Sequence, residues 1–479
     1  MVTINILLYT DTKRISENPA AFWSIQIVKE ILESKISEFV QYKLSVVHRY
    51  PDQTGNPRKI DQCLLKPYDE LWLFGFYREN DGPGFDDTTG GPRNELEEDE
   101  RLALSEWMTN HGVLIAGDHA EPRLGGTVDD PVETFLCLGK ALGKRVPRAG
   151  QMRKWEGPPT NAEVSSFNTL VTTAQLDVTS DTAQSDEVPQ KLLLSLLSPD
   201  SLTHPIFSGK DAGGNYKPID IFPDHRHEGE VIVPAELDDE WPHPEDLHGR
   251  QRRGPVIVAN GCDKRSCRSG AVLAVYDGDG LGAGRIVADS SWHHYFNTNL
   301  RGLKVAGDDD PDNKAFALIS QFYPNLALYL APEEKRRTIG SALLEWVKVN
   351  PDVREERGNP PLVVGKIALS HLAKVATGYE IFELLQTLIP DRLRREYPLF
   401  NFPPLIAGMR TLPPRELILG SVINKFYASK VVRTDAESMR EKAEIADHLV
   451  TVGLREAFSF HRDEAQKVAS VAEKVMDSL

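Results

Sequence analysis

Short apolar runs separated by helical stretches constrain this chain's fold more than any other feature. Val2 to Tyr9 is continuously apolar and rich in β-branched residues, as a strand buried on both faces must be. Ser16 to Ser34 then reads as a helix, with Phe22, Ile25, Ile27, Val28, Ile31 and Leu32 on a broad apolar face. Tyr42 to His48 and Tyr68 to Phe76 supply two more strands, and a polar, Gly-rich loop spans Arg78 to Asn94. The helix expected over Leu96 to Asn110 carries Glu97, Glu98, Asp99 and Glu100 in its first turn, where the helix dipole favours negative charge. His111-Gly112 ends it, and Val113 to Ala116 forms the next strand. Alternating strands and helices predict an α/β fold with an open, mostly parallel sheet flanked by helices. In such sheets ligands bind outside the carboxyl ends of the strands. Asp11, Phe76, Tyr77, Asp118 and His119 fall there.

Beyond this the alternation lapses. Asp130 to Val146 reads as a helix, and Arg148 to about Pro255 as a divergent insertion. Within it Gln190 to Leu197 is a candidate strand, and His204-Pro205-Ile206-Phe207 a loop. Strands return at Pro255 to Ala259, Ala271 to Tyr276 and Gly284 to Ala288. The last two are joined by the glycine-rich Asp277 to Gly284, which reads as a hairpin connection. Those glycines lack the Lys-Ser/Thr and following helix of a phosphate loop. The final strand runs into Asp289-Ser-Ser-Trp-His-His-Tyr-Phe-Asn-Thr-Asn299. Past Asp312 the character is helical, at Lys314 to Leu330, Glu333 to Val349, Leu362 to Ile389, Glu416 to Val432 and Asp435 to Ser478. Val353 to Pro361 reads as a linker. The expected units are an α/β domain over 1–305 with an insertion at 148–254, a helical extension over 306–355 and a helical domain over 360–479.

The 479 residues, 40% hydrophobic and 26% charged, suit a multi-domain globular protein. Net charge of −16 speaks against a general nucleic-acid-binding surface. No apolar run is long enough for a membrane span, and the N-terminus has neither a basic region nor a cleavage site, so a cytoplasmic location is expected. Four Cys (Cys63, Cys137, Cys262 and Cys267) make no disulfide framework. The Cys262-x4-Cys267 pair sits among basic residues and reads as a surface loop.

Two stretches carry a resemblance. One is Leu96-Glu-Glu-x-Glu-x-x-Ala-Leu-x-x-Trp107 running into Gly112-Val-Leu-Ile-Ala-Gly-Asp-His-Ala120. The other is Gly284-Arg-Ile-Val-Ala-Asp-Ser-Ser-Trp-His-His294. Together they resemble the class I glutamine amidotransferase-like superfamily, in its ThuA-like (trehalose-utilisation-like) branch, over roughly residues 1–305. Gly117-Asp118-His119-Ala120 is similar to that branch's Gly-x-His-(Ala/Ser), which stands where amidotransferases carry a Cys nucleophile. The resemblance implies the amidotransferase-like fold and places His293 or His294 near the family's catalytic His. Where the family has a Glu two residues later, this chain has Tyr295 or Phe296. A thiolate needs a base held against it, so Cys-dependent glutaminase activity is not expected.

The chemistry-bearing residues are His119, Asp118 and His293 as candidate catalytic groups, with Asp11, Tyr77, Trp292 and His294 as candidate ligand contacts. Asp224, His225, His227 and Glu228 form a candidate metal set, since His and carboxylate oxygens suit zinc, manganese or iron. A metal-free His oriented by a carboxylate is the alternative. Each has a plainer reading. His119 reads equally well as a brace for its turn, Asp11 as a helix cap, and Tyr77 and Trp292 as rim packing. If 293 and 294 continue a strand, at most one of the two His faces the crevice. Two functions remain open. One is binding of a small polar ligand, sugar- or nucleotide-like, at the Asp118/His119 edge, with His/carboxylate hydrolase chemistry. The other is a non-catalytic scaffold or sensor whose C-terminal helices dock a partner, or a second copy, in a multi-protein bacterial system.

Overall fold

The computed structural model describes residues 1–10, 24–34, 37–49, 57–74, 96–116, 190–195, 203–211, 216–223, 255–262, 269–279, 284–297, 311–356, 358–388 and 415–428, with shorter pieces between and beyond them. Its centre is one eight-stranded sheet. The strands are β1 (Val2–Thr10), β2 (Val40–His48), β3 (Glu70–Phe74), β4 (Gly112–Ala116), β5 (Leu193–Leu194), β6 (Val256–Cys262), β7 (Ser269–Tyr276) and β8 (Ile286–Asp289). Their spatial order is β2-β1-β3-β4-β8-β7-β6-β5. The first five in that order are mutually parallel, and each of the last three joins its neighbour antiparallel. β3 and β4 are buried at every residue, which accounts for their unbroken apolar sequence. β7 and β8 form the expected hairpin, paired from Tyr276–Ile286 to Leu273–Asp289.

The helices are α1 (Gln26–Glu33), α2 (Gln62–Leu65), α3 (Glu98–Trp107), α4 (Pro311–Ile319), α5 (Phe322–Leu330), α6 (Glu333–Val349), α7 (Pro351–Glu355), α8 (Pro361–Leu372), α9 (Gly378–Thr387) and α10 (Arg415–Ala428). Local hydrogen bonding explains where several depart from the sequence reading. The helix expected from Ser16 starts at Gln26, where Ser24 Oγ accepts from the Gln26 amide and Asn297 Oδ1 from that of Ile27. The run to Ile389 is broken by a capping box, in which Thr377 Oγ1 accepts from the Glu380 amide and Glu380 Oε2 from that of Thr377. Lys314 to Leu330 is likewise two helices, parted at Ser320-Gln321. The supposed linker begins with α7, capped by Asn350. The supposed loop at Pro205–Phe207 is a 3₁₀ turn. Gln190 to Leu197 is not one strand: Gln190–Lys191 pairs with Ile221–Phe222, and only Leu193–Leu194 joins the main sheet. The predicted helix at Asp130 to Val146 lies outside the described residues.

The helical region is fastened to the sheet by charge. Arg285, just before β8, reaches Asp279 at 2.8 Å, Asp277 at 3.3 Å and Glu383 of α9 at 3.4 Å. Its Nη1 also donates to the Tyr379 hydroxyl at 2.8 Å. Arg336 of α6 bonds Asp279 and, at 3.3 Å, Glu383. Burial works against the Arg285 charge, but Asp277, Asp279 and Glu383 outweigh it and hold its pKa well above the ordinary value. His204 stands beside this network, and burial followed by the Arg285 charge lowers its pKa to about 3. Farther out, α8 and α10 cross so closely that a Cβ on Gly365 would stand 1.7 Å from the Glu416 carbonyl, and one on Gly420 1.7 Å from that of Pro361. Only a residue without a side chain fits either position.

Glu70, which opens β3, is a buried acid of a different kind. Its Oε2 accepts from Trp72 Nε1 at 3.2 Å, and its Oε1 has no hydrogen-bond partner among the described residues. Burial raises its pKa well above the usual carboxylate range. The folded state therefore holds a proton that the unfolded chain releases above a pH of about 4.3. The stability contribution is full below that pH and is lost as pH rises through the folded pKa. Glu70→Gln mimics the protonated acid. It should match the parent near pH 4 and exceed its stability at pH 8, gaining about 1.4 kcal/mol per pH unit within the window. Urea unfolding at both pH values checks this, and a pH-independent difference would refute it.

Candidate functional site

The carboxyl ends of four parallel strands are aligned. Thr10 of β1 pairs with Phe74 of β3, Phe74 with Ala116 of β4, and Ala116 with Asp289 of β8. The segments that follow them in sequence hold Asp11, Tyr77, Asp118 with His119, and the Trp292 to Tyr295 stretch. Asp11, Tyr77, Asp118, His119, Asp224, His225, His227 and Glu228 lie outside the described residues. Among the described residues no three His, Cys, Asp or Glu side chains gather as a metal site requires.

After β8 the chain does not continue as a strand. Trp292–Tyr295 is a 3₁₀ turn, started by Ser291 Oγ accepting from the His293 amide at 3.1 Å. The strand alternation expected of His293 and His294 therefore does not apply, and both rings are buried. They have different surroundings. His294 Nδ1 lies 2.7 Å from Asp289 Oδ1. The ring of Phe222 covers it, 4.8 Å away between centroids. His293 stands in an aromatic cluster, 6.3 Å from Trp292 and 6.0 Å from Phe296. Trp292, expected at a rim, is buried against Phe296 at 5.5 Å.

Asp289 is the hub. Its Oδ1 also accepts from the Ser291 amide at 3.0 Å, and its Oδ2 from the Tyr295 hydroxyl at 2.9 Å. Tyr295, at a position where the resemblance leads one to look for a Glu, thus bonds the carboxylate. A His that donates Nδ1–H to a carboxylate carries its basic lone pair on Nε2, with its ring fixed in orientation. Asp289 is wholly buried, which strengthens each bond it accepts. Tyr323 of α5 closes the arrangement, its hydroxyl donating to the His294 carbonyl at 2.7 Å. Burial, with the Asp289 charge second, raises the Tyr323 pKa well above the ordinary phenol value, so that hydroxyl stays a donor. The sequence sets Asp289 at the end of the final strand but singles out neither Tyr295 nor Tyr323 as its partners. An i, i+3 reading of the segment from Trp292 to Tyr295, prompted by the capping Ser291, would have pointed to Tyr295.

No protein-family model and no curated protein matches the chain. Two solved structures are similar to part of it. The cytoplasmic protein STM1381 from Salmonella typhimurium LT2 is 11% identical, covering 68% of this chain and 100% of its own, with a TM-score of 0.32. The mmIFT52 N-terminal domain is 12% identical, covering 67% of this chain and 96% of its own, with a TM-score of 0.31.

Proposed function

We propose that the chain is an amidotransferase-like protein of the ThuA-like kind, lacking the Cys nucleophile, that binds a small polar ligand at the edge where β4 and β8 end. The ligand class is sugar- or nucleotide-like, and His/carboxylate hydrolase chemistry is the activity that fits. The observation carrying this reading is the Asp289–His294 pair, a His oriented by a carboxylate, in register with the strand end that leads into Asp118 and His119. Its role there is to hold or move a proton at His294 Nε2 while Tyr295 and the Ser291 amide keep Asp289 in place. The complete burial of Asp289 and His294 favours a second reading, a non-catalytic scaffold in which the pair braces the turn.

A thermal-shift screen of monosaccharides, sugar phosphates and nucleotides separates the two. Under the first reading one class raises the melting temperature, by the equivalent of about 2.7 kcal/mol at a hundredfold excess over Kd. His119→Ala and Asp118→Asn should abolish the shift without changing the unliganded melting temperature. Metal analysis of the same protein tests the set at 224–228. A panel that shifts nothing, or a shift that survives both substitutions, leaves the scaffold reading.

A further inference from the structure

Helix α5 touches both ends of β8. At the Asp289 end, Tyr323 donates to the His294 carbonyl and its ring stands 5.8 Å from Tyr295. Phe322 beside it packs at 4.7 Å on Phe222, the ring that covers His294. At the other end, the Tyr329 carbonyl accepts from Arg285 Nη1 at 3.2 Å, and the Arg285 guanidinium lies 4.7 Å over its ring. The Tyr329 hydroxyl donates to the Tyr276 carbonyl at 3.2 Å, holding β7 as well. The lengths agree: nine helical residues rise about 13 Å, and four strand residues span about 13 Å. The strut has little freedom at its foot, where a Cβ on Gly112 would come within 2.1 Å of the Leu330 carbonyl. Arg285, which that foot bonds, is the residue that Glu383 and Tyr379 of α9 hold from the helical side.

We infer that the helical region controls the His294–Asp289 pair through α5, the seat of α9 on Arg285 setting the position of the strut and so of the turn that carries His294. This rests on the reading of that edge as the functional site. It makes the C-terminal helices a control element, and whatever displaces α9 loosens the turn. Packed elements with two discrete arrangements carry such coupling, and a double-mutant cycle is its test.

Hydrogen exchange of the full chain, without ligand, reads it. Glu383→Gln removes a charge from the network at constant shape and should speed exchange of segment 290–297 by about 5–150-fold. Exchange in β1 should not change. In a Tyr323→Phe background the strut loses its hydrogen bond to His294, and the same substitution should add less to that segment. If Glu383→Gln does not fold, Tyr379→Phe, which removes the hydroxyl that Arg285 bonds, takes its place. Unchanged exchange in 290–297, exchange rising equally in β1, or equal increments in both backgrounds would each overturn the coupling. Ligand binding plays no part in the measurement, so failure of the ligand screen leaves this result readable, and the reverse.

Discussion

Arg285→Met is expected to lower the unfolding free energy by about 3–5 kcal/mol, the range for breaking a buried ion pair from one side. The substitution takes the Arg285 cation from Asp277, Asp279 and Glu383, while Arg336 still pairs with Asp279 and Glu383. The weight falls on Glu383, whose side chain is 4% exposed, because Asp277 at 36% can be solvated where it stands. The bond to Tyr379 and the stacking on Tyr329 go as well. Arg285→Lys should fall between, since an ammonium cannot reproduce the planar fork. Urea unfolding measures both, and a loss under about 1 kcal/mol for Arg285→Met would mean that the network is solvated and idle. A cut at residue 360 meets the same network. It removes Glu383 and Tyr379, together with Glu380, which bonds Ser37 in the segment before β2. The truncated chain should therefore unfold with lower cooperativity than the full chain.

What the sequence showed and what it hid follow from the range of the forces involved. β1, β3 and β4 were legible because burial on both faces writes itself into consecutive residues. The β7–β8 hairpin was legible because its connection is rich in glycine. The break before α9 was also written locally, as Thr377-Gly-Tyr-Glu380, but an apolar face continuing on both sides masked it. The turn at Trp292–Tyr295 was hidden because its cap is a single Ser291 and its apolar residues are compatible with a continuing buried strand. Two-residue strands such as β5 have no period at all, and pairing with β6 alone defines them. The ion network was out of reach. Its members at 277, 279, 285, 336 and 383 meet across three elements, and a charged residue in sequence reads as solvated until a partner is found for it. The site was half legible for the same reason. Asp289 and His294 lie five residues apart and could be suspected together, whereas Tyr323 comes from a helix 29 residues beyond His294.

Glu100 yields a sharper stability test than Arg285, because its prediction has a sign that simple counting of contacts would get wrong. Its carboxylate, wholly buried, takes both Nη atoms of Arg49 at 2.6 Å, the Ile60 amide at 2.9 Å and the Glu97 amide at 2.8 Å. The first turn of α3 looked on sequence like a run of acids suited to the helix dipole. One of those acids instead points inward and ties the end of β2 to α3. Glu100→Leu takes its carboxylate away from the buried Arg49 guanidinium and should cost about 3–5 kcal/mol. Arg49→Met strands the carboxylate and should cost a similar amount. The pair Arg49→Met with Glu100→Leu removes both desolvation penalties and fills the space with apolar atoms, so it should be milder than either single change. The Ile60 and Glu97 amides then lose their acceptor, which keeps the double variant below the parent by roughly 1–3 kcal/mol for each amide that water does not reach. Chemical unfolding of the four proteins decides it. Additive losses in the double variant would show that the two residues act through separate neighbours rather than through each other.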